Sequence, residues 1–212
     1  VSHEFDKAYW EQHWDRAHLD HAAVVSRMGP NPHLVAEAAD LAPGRALDAG
    51  CGNGAEAVWL AERGWHVTAV DIATTALCRA RKYAEEAGVA NRIDWVEADL
   101  TDWTPPEDHF ELVTTHYVHP AASHGALFDR LAAWVAPGGT LLVVGHRATD
   151  ERAVHGHAPP HEATFTAEDS AAGLDRDQWD IAAAEARTRT VTGSDGQEMT
   201  LHDAVLRARK RP

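Results

Sequence analysis

Three features of the sequence predict an α/β domain built on a mainly parallel sheet. Short apolar runs alternate with helical patterns between residues 45 and 146. The first run is separated from its helix by a glycine-rich turn, Gly50-Cys51-Gly52-Asn53-Gly54. The last two runs flank Gly193-Ser194-Asp195-Gly196, which reads as a hairpin turn. Alternation of this kind requires crossover connections that put helices on both faces of a parallel sheet, and the hairpin adds a pair of strands at one edge.

The elements follow in order. Residues 4–17 carry Phe5, Tyr9, Trp10, Trp14 and Ala17 at helical spacing. Asn31-Pro32 marks a helix start, with Asn as N-cap and Pro in the first turn, running to about Leu41. "RALDAG" (45–50) is a short buried strand, Gly54 to Gly64 a helix and "HVTAVDI" (66–72) a strand. Thr74 to Ala87 is a helix with Leu77, Ala80, Ala84 and Ala87 on one face, stopped by Gly88. "IDWVEAD" (93–99) and "FELVTTHYV" (110–118) are strands. Phe128, Leu131, Ala132 and Val135 stripe a helix ending at Pro137-Gly138-Gly139, and "TLLVVGH" (140–146) is a strand. Residues 146–165 have no period and read as a long loop, a capped helix starts at Thr166, and strands from Trp179 and His202 close the chain.

Composition narrows the function classes. The 212 residues suffice for a single domain, and no apolar run approaches the roughly 20 residues that span a bilayer. The opening "VSHEFDKAYW" lacks a signal-peptide pattern, and Cys51 and Cys78 are the only cysteines, so a reducing, cytoplasmic setting is expected. Cys51 reads as a small filler and Cys78 as a core residue. A net charge of −14 argues against a nucleic-acid surface, which needs clustered cations. Neither a membrane nor a nucleic acid is an expected partner; the oligomeric state is left open.

The glycine turn opens a ligand site. Glycine lets the main chain approach a ligand, the helix that follows offers unpaired N–H groups, and ligands of open α/β sheets lie at the carboxyl ends of the strands. Asp71 ends the second strand, where a carboxylate accepts ribose hydroxyl protons. Gly50-x-Gly52-x-x-Ala55 also satisfies a permissive dinucleotide fingerprint, so a nicotinamide dinucleotide and a nucleoside with a charged sulfur both remain candidates. Asp48, two residues before the first glycine, favours the cation over a pyrophosphate. Asp99 ends the third strand, placed either to accept from an adenine amino group or to cap the turn "DLTDW".

Taken together, "LDAGCGNG", "VTAVDIA", "VEADL", "FELVTTHYV" and "LAAWVAPGGTLLVV" resemble, in order, the motifs of the class I S-adenosylmethionine-dependent methyltransferases. The resemblance covers about residues 30–212 and implies a Rossmann-like seven-stranded sheet in the order 3-2-1-4-5-7-6, strand 7 antiparallel, flanked by helices. It also implies S-adenosyl-L-methionine as methyl donor. Gly50, Cys51 and Gly52 would line its methionine and ribose part, and Asp48 would anchor the amino-acid end. Asp71 would hold the ribose, Ile72 would lie against the adenine, Asp99 and Leu100 would read the adenine edge, and the Thr115 carbonyl would meet the methionine amino group.

The helix "FDKAYWEQHWDRA" resembles the opening helix of small-molecule methyltransferases of the tellurite-resistance and thiopurine type. The expected organisation is a helical lid, residues 1–30, over a methyltransferase domain, residues 31–212, forming one compact unit. Tyr9, Trp10 and Trp14 are the lid residues, and the same pattern is that of an amphipathic helix capping a core. His116 and His119 follow the fourth strand and His146 ends the fifth, so a base is sought there, with His116 and His146 first and His119 in the acceptor pocket. His155, His157 and His161 lack the fixed geometry of zinc motifs, so no metal is expected; Arg147 and Arg152 offer an anion site or plain solvated charge. The expected acceptor is a small molecule, a thiol or a selenium or tellurium species, because such anions need little base assistance. The rival readings are a nicotinamide-dependent oxidoreductase and a non-catalytic metal- or ligand-binding module on the same fold. A tRNA or protein methyltransferase is disfavoured by the charge.

Overall fold

Strand β1 (Arg45–Ala49) lies at the centre of the sheet, between β2 (His66–Asp71) and β4 (Phe110–His116), and is parallel to both. The computed structural model describes residues 5–20, 29–120, 123–147, 164–192 and 198–212. β3 (Ile93–Glu97) pairs with β2, and β5 (Val135–Arg147) pairs with β4, all in parallel. A two-residue strand, β6 (Thr164–Phe165), continues beside β5; β7 (Trp179–Thr192) and β8 (Glu198–Lys210) complete the order β3-β2-β1-β4-β5-β8-β7. β8 is antiparallel to both its neighbours. The seven long strands have the expected order, and β6 is an addition the sequence pattern did not reveal.

The helices are α1 (Lys7–Asp20), α2 (Pro32–Ala38), α3 (Ala55–Glu62), α4 (Thr74–Glu86), α5 (His124–Trp134) and α6 (Ala167–Ala172). Successive strand residues face opposite sides, so neighbours in the chain belong to different cores. Ala46, Leu112, Leu142 and Val205 meet Leu34 of α2, Val58 and Leu60 of α3 and Leu77 of α4 on one face. Leu47, Val113, Leu141 and Leu206 meet Phe128 and Leu131 of α5 and Ala171 of α6 on the other. Burial on both faces explains the nearly continuous apolar runs. No helix among the described residues is long and apolar enough to cross a membrane.

Local chemistry sets the boundaries. Asp6 caps α1, its Oδ1 accepting the Tyr9 N–H at 2.8 Å, so the helix starts at Lys7 rather than at residue 4. Asn31 caps α2 by accepting from the His33 N–H at 2.9 Å, as the Asn-Pro pair predicts, and the helix ends at Ala38, short of Leu41. Thr166 caps α6 through the Asp169 N–H at 3.0 Å. Val135 corrects the helical stripe: with φ −73° and ψ 126° it is extended and already pairs with Phe110 in the sheet. Cys78 corrects another expectation, since it is exposed on α4 whereas Leu77 beside it is buried. The turn 193–196, most of the 146–165 loop, Arg152 and the histidines 155, 157 and 161 lie outside the described residues.

Candidate active site

The strand order reverses between β1 and β4, and at that point the carboxyl ends of the parallel strands open into a cavity of about 480 Å³. Its floor is the glycine turn after β1. Gly50 has φ +77°, and a Cβ there would collide with the Val118 side chain. Gly52 has φ +51°, and its Cβ would lie 2.8 Å from the Trp14 ring, so this α1 tryptophan rests directly on the turn. No L side chain fits either position.

The turn's own donors are largely engaged. The Gly50 and Cys51 N–H groups donate to Val70 O at 2.8 and 3.0 Å, and the Gly54 N–H donates to Cys51 O at 2.8 Å. The Gly52 N–H donates to Asp71 Oδ2 at 2.8 Å, while Asp71 Oδ1 accepts from the Ala73 N–H at 2.8 Å. A pyrophosphate cradle needs such N–H groups directed at the ligand. Here they are turned inward, which removes the physical basis for the dinucleotide reading.

Carboxylates surround the turn instead. Burial pushes the Asp48 carboxyl well above its ordinary range, and the neighbouring Glu56 and Asp71 push it further; its Oδ2 is buried without a partner. Burial likewise raises Glu56, against the Asn31 N–H that donates to its Oε1 at 3.0 Å. Burial raises Asp71 too, opposed by the Ala73 and Gly52 N–H groups. Three carboxyls, two buried and one half-buried, held above their usual range favour any positive charge brought among them. The orphaned Asp48 oxygen and this negative field fit a sulfonium nucleoside with an ammonium end. Cys51 is no nucleophile: burial, reinforced by Asp48 and Asp71, holds its thiol well above the ordinary value.

The structure brings most of the sequence-derived residues together. Gly50, Cys51, Gly52, Asp71, Ile72, Asp99 and Leu100 line the cavity, as do Tyr9, Trp10, Trp14, His116, His119 and His146. Asp48 and Thr115 are not on the wall: both are buried behind it, and the Thr115 hydroxyl donates to Ala49 O at 2.8 Å. Asp99 serves as a cap, Oδ1 accepting from the Thr101 N–H and hydroxyl at 2.8 and 2.7 Å, and borders the cavity as well. Among the lining residues that escaped the sequence reading are Glu56 and Tyr117. An acid in the first turn of the helix behind a glycine loop was the available signal for Glu56. Tyr117 gave none: it adopts φ +54°, held by its N–H to Val144 O at 2.9 Å and by Asn31 Nδ2 donating to its hydroxyl at 3.2 Å.

The far wall is made of rings. Trp10 stacks on His119 at 5.9 Å and 18°, and His119 stacks on His146 at 5.6 Å and 19°. Tyr117 packs against His146 at 4.7 Å. Burial holds these imidazoles below their ordinary value, which favours their uncharged forms. Burial, with His33 nearby, lowers His116 to about 3; burial, with His146, His124 and His13 nearby, lowers His119 to about 4. Burial lowers His146 as well. Among the described residues no cluster of His, Cys, Asp or Glu has the arrangement of a metal site.

An open α/β sheet closed by an antiparallel last strand, with a cation-favouring cleft at its switch point, defines a nucleoside-binding domain of the methyl-transferring kind. Comparison with known proteins agrees. Residues 46–139 match a family model described as a methyltransferase domain. The chain is 37% identical over 136 residues to trans-aconitate 2-methyltransferase of Streptomyces coelicolor, covering 61% of this chain and 44% of that protein. It is 31% identical over 164 residues to probable thiol methyltransferase 2 of Arabidopsis thaliana, covering 74% and 68%. The N-methyltransferase NodS from Bradyrhizobium japonicum, solved with S-adenosyl-L-homocysteine, superposes with a TM-score of 0.67 at 18% identity, covering 95% and 98%. The chain belongs to the class I S-adenosylmethionine-dependent methyltransferases. It spans about half the length of several of the curated relatives it matches.

Proposed function

We propose that the chain transfers the methyl group of S-adenosyl-L-methionine to a thiol or other chalcogen nucleophile of a small molecule by in-line displacement. The observation that carries this reading is the cavity's pairing of a carboxylate-ringed glycine turn with a wall of uncharged imidazoles. Bound at the turn, S-adenosyl-L-methionine supplies an electrophilic methyl carbon on positively charged sulfur.

The residues divide the work. Asp48, Glu56 and Asp71 hold positive charge near the turn, with Gly50, Cys51 and Gly52 beneath the ligand and the Thr115 carbonyl near its amino end. Asp71 takes the ribose hydroxyls on the lone pairs its backbone contacts leave. Ile72, Asp99 and Leu100 border the adenine. Residues 1–30 act as a lid on a single domain, with Tyr9, Trp10 and Trp14 excluding water.

The acceptor's S–H proton passes to the His146 ring, and His116 and His119 serve as an uncharged wall. A base whose proton affinity burial lowers suits an acceptor whose own nucleophilicity is high, which supports sulfur over an alcohol. One relative is named a thiol methyltransferase, which supports the same choice. The net charge of −14 supports a small acceptor over a nucleic acid.

The test is calorimetric binding of S-adenosyl-L-homocysteine to the wild type and to Asp71→Ala, followed by labelled methyl transfer to thiols, phenols and amines. Loss of two backbone acceptors and the ribose contact is expected to cost about 1.5–3 kcal/mol of binding, with thiols the fastest acceptors. Equal affinity in the variant, or exclusive turnover of amines, would sink the assignment.

A further inference from the structure

Resting on the methyl-transfer reading, we infer that the acceptor is an uncharged, flat aromatic molecule that packs against the Trp10–His119–His146 ring wall, and that carboxylate-bearing acceptors are excluded. Three observations converge on this.

The first is the wall itself. Its three rings lie within 19° of parallel from one to the next, at centroid separations of 5.9 and 5.6 Å. Phe5 extends it, 5.4 Å from His119 and 5.2 Å from Tyr9. A layered array of this kind offers a planar ring more contact than it offers a flexible aliphatic chain, because offset stacking and edge contacts add to simple burial.

The second is charge. Glu56, Asp71 and Asp99 line the cavity, and among the described residues no lysine or arginine does. Three guanidinium groups close to the cavity are engaged elsewhere, while Arg147, next to His146, is exposed and does not line it. Arg79 donates to Trp14 O at 2.8 Å, Arg130 to Trp103 O at 2.8 Å, and Arg189 Nε to Asp203 Oδ2 at 2.8 Å. A carboxylate entering this space would lose its hydration, gain no counter-charge and meet like charges.

The third is the protonation of the wall. Burial lowers His119 to about 4 and lowers His146 as well, which disfavours the charged forms that would hold an anion. The wall therefore presents rings without a charge to pair with an anion. This separates the chain from its relative named for trans-aconitate, a tricarboxylate, despite 37% identity over the shared stretch.

The experiment uses the full chain saturated with S-adenosyl-L-homocysteine and reads tryptophan fluorescence, which Trp10 and Trp14 place in the cavity. The probes are benzyl mercaptan, its 4-carboxylate analogue, and 1-hexanethiol, at a pH where the thiols are protonated. Benzyl mercaptan is expected to bind at least about tenfold tighter than the carboxylate analogue. Calorimetry follows the same ligands in Trp10→Ala, also saturated with S-adenosyl-L-homocysteine, where the preference for benzyl mercaptan over 1-hexanethiol should fall at least about fivefold. Equal or tighter binding of the carboxylate, or an unchanged aromatic preference in the variant, overturns the inference alone. Absence of any S-adenosyl-L-homocysteine binding by the wild type overturns the methyl-transfer reading and this inference with it.

Discussion

The carboxylate of Glu11, on α1, caps α4 from outside: Oε1 accepts the Thr74 N–H at 2.7 Å and Oε2 accepts the Thr75 N–H at 3.1 Å. Ala73, at the cap position, has no side chain able to do this. Partial burial alone would raise the Glu11 carboxyl, but its bonds to Thr75 and Thr74 outweigh that and lower it. The Lys7–Glu97 ion pair and the Arg79 bond to the Trp14 carbonyl fix the same helix. Helix α1 is thus tied to α4 and to the end of β3 by four polar contacts.

Glu11→Ala should release it. The lost cap is expected to cost about 1 kcal/mol. Hydrogen exchange in residues 7–15 should accelerate more than in β1 or β4. Unchanged protection of that helix would show that ring contacts alone hold it.

Asp48→Asn should exchange function for stability. The folded-state carboxyl lies above its unfolded value, so as pH rises from about 4 the unfolded chain ionises first and the native state becomes relatively penalised. The variant removes that penalty. Chemical denaturation is expected to show it about 1–2 kcal/mol more stable than wild type at pH 8 and nearly equal at pH 4, while binding the cationic donor more weakly. A variant less stable at both pH values would contradict the buried-charge account.

His116→Gln should change the acid limb. His116 is half-buried with its Nδ1 enclosed and unpartnered, near His33 and Asp203, and desolvation lowers it to about 3. Below the unfolded value of about 6.5 the unfolded chain takes up a proton that the native state refuses, so wild-type stability falls as pH drops. Relative to wild type, the variant should gain about 2–3 kcal/mol between pH 7 and 4.5. Parallel stability curves for the two proteins would place His116 in a more solvated setting.

Asp203 tests the structure beneath the ring wall. It is fully buried on β8, and its Oδ2 accepts from Arg189 Nε at 2.8 Å and lies 3.1 Å from His33 Nε2. Arg189 also lies under the Tyr117 ring, 5.1 Å from its centroid. Asp203→Ala strands a nearly buried guanidinium and is expected to cost about 3–5 kcal/mol in urea unfolding. A loss under about 1 kcal/mol would mean that Arg189 finds water instead.

Much of the donor half was readable from local pattern. The glycine turn, Asp71 after an apolar run and Asp99 before a capped turn lie within short segments whose strand–helix periods fix where they end. The alternation of strands and helices gave the order of the seven long strands, because crossovers have one hand. β6 was not readable, since two residues carry no period. Val135 was misread because a β-branched residue fits both a helical stripe and a strand, and only pairing with Phe110 decides between them.

By itself, then, the sequence determined the fold class, the glycine turn and the three aspartates at consecutive strand ends, because each depends on neighbours a few residues away. Only the tertiary structure decided which N–H groups the turn keeps for itself, that Glu56 joins Asp48 and Asp71, and that Trp10, His119 and His146 form one stacked wall. Those relationships join segments up to 136 positions apart in the chain, from Trp10 to His146. Burial, which shifts the carboxyls up and the imidazoles down, exists only once those segments meet.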